Sequence, residues 1–201
     1  MFTGIIEAQG QIRSIQAHGQ DTRMGFEVGA EFMNGVSVGD SIAVNGVCLT
    51  AIELGPDHFH ADLSAETLGA TPAAQWLVDQ RVNLEPALTL AKPLGGHLVS
   101  GHVDGIGHLR STAEDARSLR MNFELPAALA RYVARKGSIT IDGISLTVNA
   151  IEGAVFGVNI VPHTLSCTTL GQLQIGQPVN LEVDLIARYL ERLLTASEVS
   201  P

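Results

Sequence analysis

An internal repeat constrains the fold of this chain more than any other feature of its sequence. The run Val44–Thr50 (VNGVCLT) aligns with Ile141–Thr147 (IDGISLT) at an offset of 97 residues, and Val82–Glu85 aligns with Val179–Glu182 at the same offset. The alignment needs no insertion between these matches. A register held over such a distance indicates that one structural unit is duplicated along the chain.

Each copy of the repeat has the pattern of a small β domain. Segments such as Ser41–Thr50, Phe59–Leu63 and Arg81–Leu84 are rich in Val, Ile, Leu and Phe and are bounded by Gly, Asn or Asp, as short strands are. Short strands at this spacing predict an antiparallel barrel. Brief helices are expected over Glu31–Val36 and Ala127–Ala134, the second with Pro126 as its first residue, and a linker is expected over Pro86–Gly96.

The C-terminal segment differs from the repeat that precedes it. Leu185–Ala196 corresponds to the linker of the first copy, but its apolar residues fall on one helical stripe. A narrow stripe at a chain end favours an oligomerisation helix over a helix docked on its own barrel. The expected division is an N-terminal barrel at 1–97, a C-terminal barrel at 98–185, and a helix with its tail at 186–201.

Composition narrows the classes of function. Hydrophobic residues make up 45% of the chain, and the formal net charge is −9 with scattered Lys and Arg. This balance argues against nucleic acid or an anionic membrane as a partner and leaves a small-molecule ligand open. The first residues do not resemble a signal peptide, and no apolar run has the length of a membrane span. Cys48 and Cys167 could pair, but free thiols in a reducing cytoplasm are the better expectation.

The sequence lacks the common signatures of phosphate binding, serine hydrolysis and zinc binding. The two cysteines have no CxxC spacing. His97 and His102 are five positions apart in a β-like stretch, which would place them on opposite faces, so they are not expected to share a metal ion. We therefore predict no metal site.

Small polar residues stand out inside the apolar strands. Cys48 and Thr50 share one strand face, and so do Ser145 and Thr147, because alternate residues of a strand point the same way. Such pairs either fill satisfied core positions or line a pocket, and spacing alone favours the core.

Two polar turns follow predicted strands at equivalent positions, Asp62–Thr67 and Asn159–Thr164. The backbone groups of such turns can hold a planar heterocycle. The alternative is that each turn is a plain helix cap.

Six runs of residues, in order and at matching separations, resemble the riboflavin synthase family over nearly the whole chain. They are Met1–Ile5 (MFTGI), Asn45–Thr50 (NGVCLT), Gly95–His102 (GGHLVSGH), Lys136–Ile139 (KGSI), Asp142–Asn149 (DGISLTVN) and Val161–Thr164 (VPHT).

The resemblance implies an all-β fold of two tandem six-stranded antiparallel Greek-key barrels with short helices and a C-terminal α-helix. Members of this family form homotrimers through that helix, and each barrel binds one 6,7-dimethyl-8-ribityllumazine. A four-carbon unit passes from one lumazine to the other, which gives riboflavin and 5-amino-6-ribitylaminouracil without cofactor or metal. The active site lies between the N-terminal barrel of one subunit and the C-terminal barrel of its neighbour. Association with lumazine synthase is left open.

Site residues carry over from the family position by position. The first ligand site would contain Gly4, Ile5, Ile6, Cys48, Leu49, Thr50, Asp62, Leu63, Ser64, Ala65, Glu66 and Thr67. The second would contain Gly101, His102, Val103, Lys136, Ser145, Leu146, Thr147, Asn159, Ile160, Val161, Pro162, His163 and Thr164. The residues similar to the family's catalytic group are Phe2, Cys48, His102, Ser145 and Asp184.

The chemistry of the substrate suggests roles for these residues. The C7 methyl group of the lumazine is already acidic, so a histidine titrating near neutrality is a sufficient base. We expect His102 with Ser145 to transfer protons, Cys48 to act as a donor or transient nucleophile, and Phe2 to stack on a ring.

Two other classes share this architecture. A non-catalytic fluorescent lumazine protein keeps both barrels but loses catalytic positions, which this chain retains. A reductase flavin domain would need a nucleotide domain after it, and this sequence has none.

Overall fold

The computed structural model describes residues 1–196, in which the two repeats form two antiparallel β units. The strands of the first copy are β1 (Ala8–His18), β2 (Asp21–Glu27), β3 (Ser41–Val44), β4 (Val47–Thr50), β5 (Glu53–Leu54), β6 (His58–Leu63) and β7 (Arg81–Pro86). Those of the second are β8 (Gly105–Asp115), β9 (Ser118–Glu124), β10 (Ser138–Ile141), β11 (Ile144–Glu152), β12 (Val155–Ile160) and β13 (Pro178–Val183). Apart from the strand divided into β4 and β5, each strand begins and ends 97 residues from its counterpart.

The second copy is a closed barrel in the order β10-β11-β12-β9-β8-β13, with β13 paired back to β10. The first copy follows the same order, but the strand equivalent to β11 is broken at residues 51–52. Its first piece, β4, pairs with β3, and its second piece, β5, pairs with β6. The predicted fold class is confirmed, and the first barrel is the less complete of the two.

The helices are short except for the last one. The α-helices are α1 (Ala30–Met33), α2 (Ala65–Ala70), α3 (Pro162–Cys167) and α4 (Leu185–Ala196), and 3₁₀ turns cover Pro72–Gln75, Ala127–Tyr132 and Thr169–Gln172.

Two helix predictions need correction. The helix expected over Ala127–Ala134 is a 3₁₀ turn that ends at Tyr132, with Pro126 at its N-cap. Its backbone bonds span three residues, since the N–H of Leu129 donates to the carbonyl of Pro126 at 2.8 Å and that of Val133 to the carbonyl of Ala130 at 3.2 Å. The helix expected over Glu31–Val36 is a single turn. The predicted linker also begins later, since β7 includes Pro86.

Each barrel buries a matched pair of stacked aromatic rings. The centroids of Phe26 and Phe59 are 5.0 Å apart in the first barrel, and those of Phe123 and Phe156 are 5.7 Å apart in the second. All four side chains are fully buried. Burial of each contributes roughly 1.5–3 kcal/mol, so these rings are a main source of stability in both copies.

The small polar pairs on β4 and β11 do not face these cores. On β4 the side chains of Val47 and Leu49 are buried, whereas Cys48 is half-buried and Thr50 is exposed. Ser145 and Thr147 of the second copy likewise lie on the outer face. The core interpretation of these pairs is therefore wrong, because the alternating apolar residues occupy the inward positions.

The two barrels meet through equivalent turns. Gly46 and Gly143 approach so closely that a Cβ on either would lie within 2.7 Å of the other's backbone nitrogen. Beside them, the side-chain amide of Asn83 donates to the carbonyl of Asp142 at 3.0 Å, and that of Asn180 donates to the carbonyl of Asn45 at 2.9 Å. The contact has approximate two-fold symmetry and ties each turn to the other barrel.

One hydrogen bond breaks this symmetry because one of the two equivalent positions is a proline. The Asn83 Oδ1 accepts the N–H of Thr169 at 2.9 Å, but the residue equivalent to Thr169 is Pro72, which has no N–H. The buried Oδ1 of Asn180, the counterpart of Asn83, has no protein partner in the part of the chain that the structure describes.

Helix α4 is tied to its own barrel by polar contacts and leaves its apolar stripe outside. The hydroxyl of Tyr132 donates to Glu191, and Arg131 forms an ion pair with the same carboxylate at 2.8 Å. Within residues 1–196, no helix is both long enough and apolar enough to cross a membrane. The exposed apolar side chains of α4 are Ile186, Tyr189, Leu190, Leu193 and Leu194.

Candidate functional site

The predicted site residues gather in two places, and each place is built from both copies. The backbone N–H of Cys48 donates to the carbonyl of Gly101 at 2.9 Å. The N–H of Ser145 donates to the carbonyl of Gly4 at 2.8 Å. The segment that precedes each barrel therefore lies on the strand of the other barrel.

This exchange corrects the grouping expected from the sequence. Gly4 and Ile6 were predicted to lie beside Cys48, but Ile6 packs against the core of the second barrel. Val103, at the position equivalent to Ile6, packs against the core of the first barrel. In the structure Cys48 therefore lies with residues 101–103, and Ser145 lies with residues 4–6. We name these two places the N-terminal and the C-terminal candidate site.

Buried carboxylates hold the exchanged segments in place. Glu85 accepts hydrogen bonds from the N–H and hydroxyl of Thr3, at 2.8 and 2.6 Å, and from the N–H of Gly4 at 2.9 Å. Glu182 accepts the equivalent bonds from Ser100, both at 2.7 Å, and from Gly101 at 2.9 Å. Each carboxylate belongs to the same copy as the segment it holds.

The two carboxylates differ in their charge partners. The ammonium group of Lys92 lies 3.1 Å from Glu85 and also pairs with Glu7. Burial disfavours the charged form of Lys92, but the two carboxylates outweigh it and raise its pKa. The position equivalent to Lys92 is Tyr189, which supplies no ammonium group. Burial raises the pKa of Glu182, although its hydrogen bonds from Ser100 and Gly101 oppose the shift.

Phe2 lies beneath the Cys48 site and does not line it. Its side chain is fully buried, packs with Val99 and Cys48, and its backbone pairs with Val99. A Cβ on Gly101 would meet the Phe2 ring and the Cys48 side chain. The prediction that Phe2 stacks on a ligand ring is wrong in this structure, since the ring has no exposed surface; Phe2 supports the loop that carries Gly101.

His97 is the histidine that contacts Ser145. Its Nδ1 lies 2.7 Å from the Ser145 Oγ. Burial lowers the pKa of His97, and the nearby charge of Asp184 partly opposes this shift. A neutral imidazole in contact with a hydroxyl can accept its proton. The predicted pairing of Ser145 with His102 is therefore not found: His102 belongs to the segment on the Cys48 side, where its N–H donates to the Ser100 Oγ at 3.2 Å.

Sequence reasoning missed the position of His97 beside Ser145 because the repeat gives no counterpart for His97. Position 97 minus the offset falls before Met1. The signal that could have found it is the pair Gly95-Gly96, since a Cβ on Gly96 would meet the Ser145 side chain and the carbonyl of Thr3. Two glycines before a histidine allow the backbone to approach this strand.

Asp184 stands at the start of helix α4. Its Oδ1 accepts the N–H of Ile186 at 3.0 Å, and its carbonyl accepts the N–H of Ala187 at 2.9 Å. The side chain acts as the helix cap and places a negative charge near His97. The last helix is thereby connected to the C-terminal site.

The two polar turns open the short helices α2 and α3. The Ser64 Oγ accepts the N–H of Thr67 at 3.2 Å and caps α2, so the helix-cap interpretation describes this turn. Asp62 is held by Arg23 at 2.8 and 3.0 Å, and this bidentate bond lowers the pKa of its carboxyl group. In the second copy, α3 begins at Pro162 without a side-chain cap.

Three predicted contact residues point into the barrel cores. The side chains of Leu49, Leu63 and Ile160 are almost fully buried in the hydrophobic clusters of their barrels. Any ligand contact at these positions is limited to the backbone. The predicted residues whose side chains are exposed or half-buried are Ile5, Ile6, Cys48, Thr50, Asp62, Ser64, Ala65, Glu66, Thr67, His102, Val103, Lys136, Ser145, Leu146, Thr147, Asn159, Val161, Pro162, His163, Thr164 and Asp184.

A cavity of about 880 Å³ is lined by residues of the first copy, among them Glu7, Phe32, Ile42 and Lys92. Its only ammonium group, that of Lys92, is already paired with Glu7 and Glu85. Volume alone does not make this cavity the site. The reactive groups, namely a thiol, a hydroxyl and two histidines, are elsewhere, and both cysteines are free as expected.

Comparison with known proteins places these observations in a family. The lumazine binding domain matches residues 3–87 and 100–184, and the two matches are again 97 residues apart. Riboflavin synthase of Photobacterium phosphoreum is 44% identical over 194 residues, covering 96% of this chain and 89% of that protein. The chain belongs to the riboflavin synthase family.

Other members show the same extent of similarity. Riboflavin synthase of Mycobacterium bovis is 43% identical over 201 residues, covering 98% of this chain and 100% of that protein. That of Bacillus subtilis is 37% identical over 194 residues, with 96% and 90% covered. Among solved structures, LumP complexed with riboflavin has a TM-score of 0.83 at 27% identity, covering 91% of this chain and 99% of that one. The family resemblance inferred from the sequence is confirmed.

Proposed function

We propose that this chain is an enzyme that converts two molecules of 6,7-dimethyl-8-ribityllumazine into riboflavin and 5-amino-6-ribitylaminouracil. A four-carbon unit passes from one lumazine to the other, which makes the enzyme a transferase of riboflavin biosynthesis. One observation carries the proposal: the chain builds two equivalent sites that differ at their reactive positions, Cys48 in one and Ser145 in the other. A reaction between two copies of one molecule requires two copies of one binding site.

The main contribution of the protein is to hold the two lumazine rings in contact. Fixing two reactants in a reactive orientation supplies roughly 7–11 kcal/mol of a bimolecular barrier. The outer face of each barrel offers the half-buried reactive side chain and a polar turn for this purpose, around Ser64 in the first copy and Pro162 in the second. The reaction as proposed uses neither cofactor nor metal.

Proton transfer at the C-terminal site is assigned to Ser145 and His97. The acidic C7 methyl group of one lumazine gives its proton to His97, either directly or through the Ser145 hydroxyl, which lies 2.7 Å from the His97 Nδ1. The lowered pKa of His97 keeps the imidazole neutral and ready to accept this proton. The carboxylate of Asp184 stabilises the imidazolium that forms.

The N-terminal site carries different chemistry. Cys48 is half-buried on its outer face, and His102 directly follows Gly101, which is bonded to the Cys48 backbone. We assign Cys48 as the donor or transient nucleophile and His102 as the proton-transfer group of this site. Each site then has one histidine and one thiol or hydroxyl, and the difference between the sites sets the direction of transfer.

The assembly proposed here is a homotrimer joined through α4. The exposed apolar stripe of this helix supports it. We divide the chain accordingly into two barrels at 1–97 and 98–185 and a third unit at 186–201. Replacing Leu190 and Leu193 by Asp should convert the trimer to monomer in analytical ultracentrifugation. The same substitution at Leu90, which is exposed outside the helix, is the control and should leave the trimer intact.

The active site is proposed to lie between the N-terminal barrel of one subunit and the C-terminal barrel of the next. The test mixes two inactive variants, Cys48→Ala and Ser145→Ala, after unfolding and refolding them together. Activity that returns in the mixture supports a shared site, because some subunit pairs then combine two intact barrels. Two variants that remain inactive after co-refolding argue against it.

We place the reaction in the cytoplasm, where free thiols such as Cys48 are maintained. Association with a lumazine synthase, which supplies the substrate, is a further part of the proposal. Co-sedimentation of the two purified proteins tests the association.

The function itself is tested by incubating the purified chain with 6,7-dimethyl-8-ribityllumazine and following riboflavin absorbance. Riboflavin and the diaminouracil should form in equal amounts. The alternative, a non-catalytic lumazine-binding fluorescent protein, is favoured by the fold similarity to LumP. A stable fluorescent complex without new riboflavin would support that alternative and overturn the enzyme proposal.

A further inference from the structure

The exchanged segments raise the question of which residue holds each reactive group in place. Gly101 contacts Cys48 of the first barrel, but the carboxylate that fixes Gly101 is Glu182 of the second. Gly4 contacts Ser145 of the second barrel, but it is fixed by Glu85 of the first. In both cases the carboxylate and the reactive side chain belong to different copies.

We infer that Glu182 is the positioning residue of the Cys48 site and Glu85 the positioning residue of the Ser145 site, so that each barrel controls the geometry of the other barrel's site. The consequence for lumazine binding rests on the function proposed above. The crosswise control of the two side chains does not.

The geometry gives each carboxylate no freedom to act elsewhere. Glu182 is only 5% exposed and Glu85 only 1%, and each uses both oxygens, one for a hydroxyl and an N–H and the other for the next N–H. The first of the Glu85 oxygens also accepts from the Lys92 ammonium group at 3.1 Å. Two consecutive N–H groups bonded to one carboxylate fix the direction of the glycine carbonyl that follows. That carbonyl is the acceptor for the strand N–H of Cys48 or Ser145.

Close packing makes the positioning tight. A Cβ on Gly101 would lie 2.7 Å from the Cβ of Cys48, and one on Gly4 would lie 2.6 Å from the Cβ of Ser145. The segment therefore touches the reactive residue directly, and a segment that shifts must change the surroundings of that residue. Both carboxylates are almost fully buried and bond to the glycine segments, so they act through those segments.

The experiment uses the thiol as a site-specific reporter. In a Cys167→Ser background Cys48 is the only thiol of the chain, and its rate of modification by 5,5′-dithiobis(2-nitrobenzoate) reports the N-terminal site. Gln cannot accept with both terminal atoms, so Glu182→Gln removes at least one of the charge-assisted bonds. We expect Glu182→Gln to accelerate modification of Cys48 by about tenfold or more, and the matched Glu85→Gln to change it by less than about twofold.

A reversed arrangement provides the internal control. With Cys48→Ser and Cys167→Ser, the substitution Ser145→Cys moves the thiol to the equivalent position of the second barrel. The order should then invert, with Glu85→Gln accelerating modification and Glu182→Gln leaving it nearly unchanged. Lumazine should protect the thiol in each case, and the half-protecting concentration should rise about tenfold in the variant that loosens that site.

The outcomes separate the inference from the function. Equal acceleration by both Gln variants, or none by either, overturns crosswise positioning, because a merely structural carboxylate would not distinguish the two thiols. Failure of lumazine to protect Cys48, or the thiol introduced at position 145, in chains that keep both carboxylates counts against the proposed function. The contrast in modification rates then still judges the positioning. If Glu182→Gln does not fold, Ser100→Ala and Thr3→Ala remove one bond from each carboxylate and give the same comparison.

Discussion

Gly46 and Gly143 occupy equivalent positions of the repeat and lie against each other where the two barrels meet. A Cβ on Gly46 would be 2.6 Å from the nitrogen of Gly143, and one on Gly143 would be 2.7 Å from the nitrogen of Gly46. Both residues have φ near +80°, which favours glycine. Each turn therefore requires glycine for two reasons. Its backbone has a positive φ, and a Cβ would collide with the turn of the other barrel.

Replacing Gly143 by Ala should destabilise the folded chain by about 2 kcal/mol or more, because the methyl group must displace the backbone of the other barrel. The matched control is Gly176→Ala, which has φ +88° and no atom within 4 Å of the added Cβ. It should lose only the backbone term of about 1–2 kcal/mol. Urea unfolding measures both, and equal losses would contradict the close contact between the barrels.

Asp142, next to Gly143, is a buried carboxylic acid whose counterpart in the first copy is Asn45. Its Oδ1 accepts the N–H of Asn180 at 2.8 Å, and Asn45 makes the equivalent bond to Asn83 at 2.7 Å. Burial raises the pKa of Asp142 from 3.8 to about 7, although the bond from Asn180 opposes the shift. The folded chain holds a proton that the unfolded chain releases, so this stabilisation is complete below pH 3.8 and declines as the pH rises to about 7.

Asp142→Asn should remove this dependence. The variant should gain stability relative to the wild type as the pH rises from about 4 to about 8, by about 1.4 kcal/mol for each unit of pKa shift that it abolishes. The reciprocal change, Asn45→Asp, should introduce a second carboxylate and lower stability over the same range. Thermal unfolding at several pH values measures the differences; a constant difference between variant and wild type would show that Asp142 is ionised in the folded chain.

The repeat predicts much of this architecture from the sequence, but not the path of the chain between the barrels. The strands of the two copies coincide because the same apolar pattern occurs twice, at Val47 and Leu49 as at Ile144 and Leu146. That same alternation could have shown that Cys48 faces outward. The direction of the Cys48 side chain follows from its apolar neighbours, Val47 and Leu49, which occupy the inward positions of the strand.

The exchange of segments could not be read from the repeat. An offset of 97 pairs Gly4 with Gly101, and it holds equally well whether each glycine lies on its own barrel or on the other. The choice depends on three-dimensional packing, in which Ile6 and Val103 each cover the core of the opposite barrel. The repeat also could not predict the position of His97, since this residue has no counterpart in the first copy.

The position of His97 predicts the pH dependence of the reaction. Because burial lowers its pKa, the acid limb of kcat/KM should lie below pH 6.5, the usual value for histidine. His97→Gln keeps a hydrogen-bonding group beside Ser145 but cannot take up a proton, so it should lower kcat by about tenfold or more and remove this limb. His102→Gln should leave the limb in place; loss of the limb in that variant alone would restore the pairing of His102 with Ser145.

A final prediction comes from two paired strand positions at which the copies carry glycine on opposite strands. In the first barrel Gly25 pairs with His60, and in the second Asn122 pairs with Gly157. A Cβ on Gly25 would lie 2.9 Å from the His60 ring, and one on Gly157 would lie 2.7 Å from the Asn122 side chain. Each strand pair therefore has room for one side chain at this position. The side chain comes from one strand in the first barrel and from the opposite strand in the second.

The summed loss of stability of the two single variants should accordingly exceed the loss of the double variant. Gly25→Asn meets the His60 ring and should cost about 1–3 kcal/mol, while His60→Gly empties the site and weakens a strand by roughly 1 kcal/mol. The double variant reproduces the arrangement of the second barrel and also removes His60 Nδ1, a buried atom with no hydrogen-bond partner among the described residues. A double-mutant cycle by urea unfolding should give a favourable coupling of about 1 kcal/mol or more. Additive losses would mean that the two positions do not share one space.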